Sequence, residues 1–405
     1  MRRAISCALP VRNPARGLGA GVCLTLMMSA WGLVDCPSLP GTLTAATVPA
    51  PLPAEVAWTS SLEEAAAASP TSDDTRVYVP LANGQVVALS RVSGEPVWTT
   101  DLKTSWPLVV GEKALHAVSD ATLVELDPDT GRVRQRHQLP GEASGPPTRI
   151  GTLFLIPVQP SLLVAWDPQQ AKEVWRQTFD GPVTGAPVVS DNGATLIVAV
   201  RDRLAAATLS NGARRWTTVL EGTLTPPIVV GDRVIVGSTT DYVYVLDARG
   251  KYRWKLSGWA DIVGLAADAD QFYVASLDNI VRAIGLQSGD RRWRKIVTTR
   301  LAFPPQLVGS TLLVGGFDPA LTALSSDGGV LGTHALPELD FLAVAPLVVD
   351  APEPESVRLV LFTRRGEVFG LRRAPPKEEP RATCPAGQSC TPVESARPGA
   401  DDQAK

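Results

Sequence analysis

The chain has 405 residues, 44% of them hydrophobic and 20% charged, enough apolar material for a large packed core, and its net charge of −3 leaves no strong field of either sign. Nucleic-acid binders concentrate basic residues on one face, so that class of partner is not expected. Length alone would allow two or three domains, but repeat architectures exceed the usual domain size, and internal repeats are therefore the first thing to look for.

At the N-terminus Arg2, Arg3, Arg12 and Arg16 precede an apolar stretch, GLGAGVCLTLMMSAWGLV, from Gly17 to Val34. This is the layout of a secretory signal peptide, assigned to residues 1–36, with a retained N-terminal anchor as the alternative. Removing four arginines and Asp35 takes the net charge from −3 to about −6, so the mature protein is mildly acidic. Cys36 follows Leu33, Val34 and Asp35 and resembles the lipid-acceptor cysteine of a bacterial lipobox, from which Asp35 departs. Cys36 is thus the candidate lipid-attachment residue; the plainer alternative is a cysteine beside an ordinary cleavage site. Residues 37–54 read as a linker.

From Trp58 to Leu371 one pattern recurs: a short β-branched run, turn residues, a second apolar run ending near Asp or Ser, a Gly turn, then Trp. The clearest copy, TPPIVVGDRVIVGSTTDYVYVLDARGKYRWKLS (Thr225 to Ser257), divides into four strands separated by hairpin signals such as Gly231-Asp232 and Arg249-Gly250. The same frame runs from Val77 to Trp98, Leu153 to Trp175, Leu196 to Trp216 and Phe272 to Trp293. Two copies, Ala114 to Gln135 and Leu312 to Gly332, keep strands and turn but lose the Trp, so their blades are expected to be looser. The spacings from Trp175 to Trp216, Trp254 and Trp293 are 41, 38 and 39 residues, the period of propeller blades.

Trp58 lies 40 residues before Trp98 yet has no three strands ahead of it, while LVLFTRRGEVFGLRR (Leu359 to Arg373) supplies two strands and stops before any Trp. The fragments complete each other, and joining them removes the unpaired edge an open ring would leave at each end. The expected fold is all-β: an eight-bladed β-propeller of four-stranded antiparallel blades over residues 55–373, closed by an N-terminal strand completing the last blade. SLEEAAAASP (Ser61 to Pro70) reads as a short linker turn, and residues 374–405, rich in Pro and charge, as a disordered tail. Cys384 and Cys390 fall in that tail, as a small disulfide loop or as free thiols.

Little in the sequence points to chemistry. His116, His137 and His334 are isolated within the repeat, and no HExxH or Cys/His cluster accompanies them. Asp127, Asp129, Asp247 and Asp327 fall in hairpin turns, where Asp caps local backbone N–H groups. The arginine pairs 214–215, 291–292, 364–365 and 372–373 read as solvated outer faces. No catalytic, cofactor-binding or metal-binding residue is assigned.

The turns in ELDPDTGRVRQ, VLDARGKYRW and AWDPQQAKEVW follow the form AxDxxTGxxxW and resemble the pyrroloquinoline-quinone-type (PQQ-like) propeller repeat over nearly all of residues 55–373. Eight blades of this length behind a signal peptide are similar to the BamB family of outer-membrane assembly lipoproteins. That resemblance implies a non-catalytic periplasmic scaffold, without cofactor, binding envelope proteins and the β-barrel assembly machinery, anchored to the outer membrane by an N-terminal lipid and otherwise a monomeric ring. Members of that family carry a Ser-Leu-Arg-Gly loop shortly after a blade-ending Trp; here Trp175 is followed by RQTFDGPVTGAPVV, so no contact residue carries over. The repeat type also admits a PQQ-dependent dehydrogenase or PQQ-binding sensor, although such enzymes usually bear adjacent cysteines, and this chain has no vicinal Cys pair.

Overall fold

The computed structural model describes residues 51–375, apart from 184, 191–192, 258–259, 317–319, 336–339 and 350–355. Within them the chain forms eight four-stranded antiparallel sheets. Seven are sequential hairpin meanders: blades 1 to 7 span 71–101, 109–138, 148–178, 188–219, 228–256, 262–296 and 306–335. In the eighth, Leu347–Val348, Leu359–Phe362 and Glu367–Arg373 are completed on the outside by Ala54–Ser61, which pairs antiparallel with Glu367–Arg373.

Blade 5 shows why these sequences make these strands. Its middle strands, Arg233–Gly237 and Val243–Asp247, are covered by neighbouring blades on both faces, so they read as unbroken apolar runs rather than as alternation. The outermost strand, Tyr252–Leu256, alternates between exposed and half-buried positions because one face meets water. Gly231 and Gly250 close its hairpins with positive φ, +57° and +75°, where an L side chain would be strained.

Ring closure is visible in the core. Eight apolar clusters each join two successive blades, and the series closes where Trp58, Val360 and Phe362 of blade 8 pack with Val77, Val79 and Leu89 of blade 1. Antiparallel alternation then sorts the connections. One face of the ring carries the turns between first and second and between third and fourth strands, here the turn face. The opposite, connector face carries the second-to-third turns and the links to the next blade.

Candidate binding surfaces

A tryptophan on the outermost strand fills six of the eight seams between blades. Trp58, Trp98, Trp175, Trp216 and Trp293 each donate their indole N–H to a backbone carbonyl in the next blade's outer turn: Arg91, Pro128, Leu209, Ala248 and Ser326, at 2.7 to 3.1 Å. Trp254 instead stacks on Phe272 of the next blade. The ring lies flat on a glycine in that turn. A Cβ added at Gly94, Gly131, Gly212 or Gly250 would come within 2.3 to 2.5 Å of the indole, closer than real Cβ contacts come. In blades 1 to 7 a bulge in the ladder sits immediately to the turn side of this position and re-aims the outer strand.

Two seams lack the tryptophan, for different reasons. Blade 8 draws its outer strand from the N-terminus, so it has no third-to-fourth turn on which an indole from blade 7 could rest. Gly332 takes the Trp position there, and Leu52 and Pro53 lie against it, with Leu52 only 2% exposed. These residues, expected in a linker ending at 54, pack in the ring, and the Pro53 carbonyl accepts a hydrogen bond from the Ala374 N–H at 3.0 Å.

The seam between blades 2 and 3 is rebuilt. Across the middle and outer strands, the row facing the next blade is Tyr78–Ala88–Trp98 in blade 1, Leu155–Ala165–Trp175 in blade 3, and likewise a large apolar residue, Ala or Val, and Trp in blades 4, 5 and 6. In blade 2 it is His116–Glu125–Gln135, polar throughout. The facing turn of blade 3 has Ala171 at φ +48° in place of glycine, and a tryptophan now comes from the opposite side: Trp166 of blade 3 sits where Leu89, Leu126 and Leu246 lie in their blades, and packs at a tilt against His137, ring centroids 4.9 Å apart.

On the turn face this seam opens as a cleft of about 470 Å³. His116 borders it, 4% exposed, with its ring edge on Phe154 at 4.7 Å and its Nδ1 buried without a hydrogen-bond partner. Burial, reinforced by nearby His137, pushes the His116 pKa down to about 4, so the ring is neutral at physiological pH. The two arginines that line it are engaged. Arg134 donates to Asp127 at 2.6 Å and to the Lys113 carbonyl at 2.7 Å, and Arg149 donates to the carbonyls of Gly151 and Val110.

The other residues singled out from sequence have local partners. Asp127 caps the N–H groups of Asp129 and Thr130, Asp247 those of Arg249 and Lys251, and Asp327 that of Gly329. Asp129 pairs with Arg76 of blade 1 at 2.8 Å. His334 lies at the seam between blades 7 and 8, beside Ala54, where burial lowers its pKa. Among the described residues no three His, Cys, Asp or Glu side chains are grouped to hold a metal ion, and no helix is long and apolar enough to cross a membrane. Cys36, Cys384 and Cys390 lie outside the described residues.

The connector face is held rigid. Six links are tied by a single β-bridge to the second strand of the blade they enter, Ala66 to Leu81 and Leu301 to Gly316 among them, and in blade 2 Thr104 donates to the Val118 carbonyl at 2.7 Å. That platform presents Leu277 and Phe341, 45% and 39% exposed, half-buried Trp106, and Tyr242 capped by the Lys255 ammonium at 3.8 Å. Sequence reasoning found the repeat but neither surface. The polar row was written in the Ala114 to Gln135 copy, where His, Glu and Gln replace the residues of the other copies.

A family model described as outer membrane protein assembly factor BamB matches residues 51–143, 119–261 and 201–351, overlapping windows that together cover about three quarters of the chain. An outer membrane protein assembly factor BamB of Bordetella pertussis is 23% identical over 345 residues, 78% of this chain and 86% of that one. Among solved structures, BamB from Moraxella catarrhalis superposes with a TM-score of 0.60 at 16% identity, covering 79% of this chain and 99% of that one. Sqt1 of Saccharomyces cerevisiae superposes with a TM-score of 0.68 at 9% identity, covering 79% and 99%, so structural likeness at this level speaks for the fold alone.

Proposed function

The chain belongs to the outer membrane protein assembly factor BamB family, and from that premise we propose that it is a non-catalytic scaffold in the assembly of outer-membrane proteins. In this reading residues 1–36 direct export, Cys36 carries the lipid that tethers the ring to the outer membrane, and the propeller works in the periplasm. Its partners are envelope proteins of the β-barrel assembly machinery. The family match, which runs through every blade as far as residue 351, carries the proposal.

The connector face is the docking surface in this reading. Its links are pre-ordered by bridges, so little conformational entropy is lost on binding, and its exposed Leu277 and Phe341 are the large apolar side chains that anchor protein interfaces. Photo-crosslinkers at Leu277 and Phe341, with a control at exposed Asp129 on the turn face, test it in intact envelopes. Crosslinks to a β-barrel assembly component from the connector positions are expected. Failure of all three positions to capture any such component would overturn the assembly role; capture from Asp129 alone would overturn the choice of face.

A further inference from the structure

We propose that the cleft between blades 2 and 3 is a binding site for a tryptophan side chain carried on an exposed segment of a partner protein. It lies on the turn face, away from the connector surface, and does not depend on the assembly role. The starting point is the exception in the repeat. In five of the other blades the outer turn offers a carbonyl that an indole N–H from the preceding blade satisfies. Blade 3 keeps that turn, with Asp167 capping the N–H groups of Gln169 and Gln170 as Asp127 caps its own turn in blade 2. Its corresponding carbonyl, on Pro168, borders the cleft, and Gln135 brings no indole to it.

A second, independent observation marks the place as a site. His116 Nδ1 is buried without a partner, and buried polar atoms in native proteins are nearly always satisfied. The chain has put a histidine in a row where other blades place Tyr, Leu or Ile, at a cost that a donor entering the cleft would offset. At the seam between blades 6 and 7 the equivalent but more open cleft is lined by the chain's own Trp293, whose N–H donates to Ser326 at 2.7 Å. An indole is therefore what this kind of seam accommodates.

Charge and shape narrow the occupant. Glu112 and Glu125 share the lining with Lys113, Arg134 and Arg149, so a strongly anionic or cationic group meets repulsion from one set or the other. Phe154 and Pro168 offer apolar walls, and the one group recorded without a partner, His116 Nδ1, can accept a hydrogen bond from a single donor. A neutral aromatic ring with one N–H donor meets both demands. Trp166 already fills the deep part of the seam and does not line the cleft, so the incoming ring sits at the turn-face mouth.

The test uses the folded, exported chain with N-acetyl-tryptophanamide as probe, followed by ligand-detected saturation-transfer NMR and by the His116 imidazole resonances. Two control probes are N-acetyl-phenylalaninamide and the N1-methylated indole, which lacks only the donor. Saturable binding of the tryptophan probe, at least about tenfold tighter than either control as one hydrogen bond allows, is expected. His116→Leu removes the acceptor and should abolish that preference. Thr152→Trp, on the exposed turn at the cleft mouth, should block all three probes without disturbing the buried seam. No saturable binding, equal affinity for the methylated probe, or binding that survives Thr152→Trp would each overturn the proposal.

Discussion

Gly250 and Gly231 separate two costs that a turn glycine can carry. Both have positive φ, but a Cβ at Gly231 would meet nothing within 4 Å, whereas one at Gly250 would lie 2.4 Å from the Trp216 ring. Gly231→Ala should therefore lose about 1 kcal/mol, the strain of a left-handed L residue. Gly250→Ala should lose about 2–4 kcal/mol, because the indole must also leave its seat. Denaturant midpoints at unchanged slope measure the difference, and equal losses would mean that the tryptophan does not hold the seam. His116 supplies a pH counterpart. Its folded pKa of about 4 lies below the ordinary 6.5, so the unfolded chain takes up a proton first as pH falls. Stability is fully present above about pH 6.5 and declines toward pH 4, by at most ~3 kcal/mol from this group. His116→Leu should flatten that slope in denaturant titrations at pH 7 and 4.5; a persisting slope of the same size would assign the effect elsewhere. His334, shifted the same way by burial, leaves a smaller residual.

At the scale of the strand and the blade, the sequence carried nearly all of the architecture. Middle strands covered on both faces must be apolar along their whole length, and outer strands must alternate around one large ring, so the four-strand unit and its tryptophan are both visible as pattern. The copies without Trp were expected to be looser, and their structures show what pattern alone could not. Trp166 looks like an irregular residue within AWDPQQ until the fold places it across the seam against His137. Leu52 looks like linker until it meets Gly332, more than 270 residues away in the chain. Both are long-range substitutions for a missing local residue, and one chain read alone has no term linking the two positions. The cleft was hidden for the same reason: its walls come from two blades, and only the polar His116–Glu125–Gln135 row was legible as a departure.

Closure of the whole ring rests on residues 50–64, which serve two seams at once. Trp58 and Leu62 belong to the cluster between blades 8 and 1, Leu52 to that between blades 7 and 8, and Arg372 donates to Glu55 at 2.7 Å along the closing strand. Deleting this segment exposes the edge of Glu367–Arg373 and removes core side chains worth about 2–5 kcal/mol each, a total comparable with the whole stability of a domain. The deleted protein should lose its cooperative thermal transition or aggregate through the freed edge, and an unchanged melting temperature would show that the circle does not need this strand. Because a truncated chain can fail for trivial reasons, complementation is the sharper measurement. A synthetic peptide of residues 50–64 added during refolding should restore the transition by pairing with that edge, while the same peptide with Trp58→Ala should do so poorly. Equal rescue by both peptides would mean that main-chain pairing alone seals the ring and that the tryptophan at the closing seam, alone among the six, is dispensable.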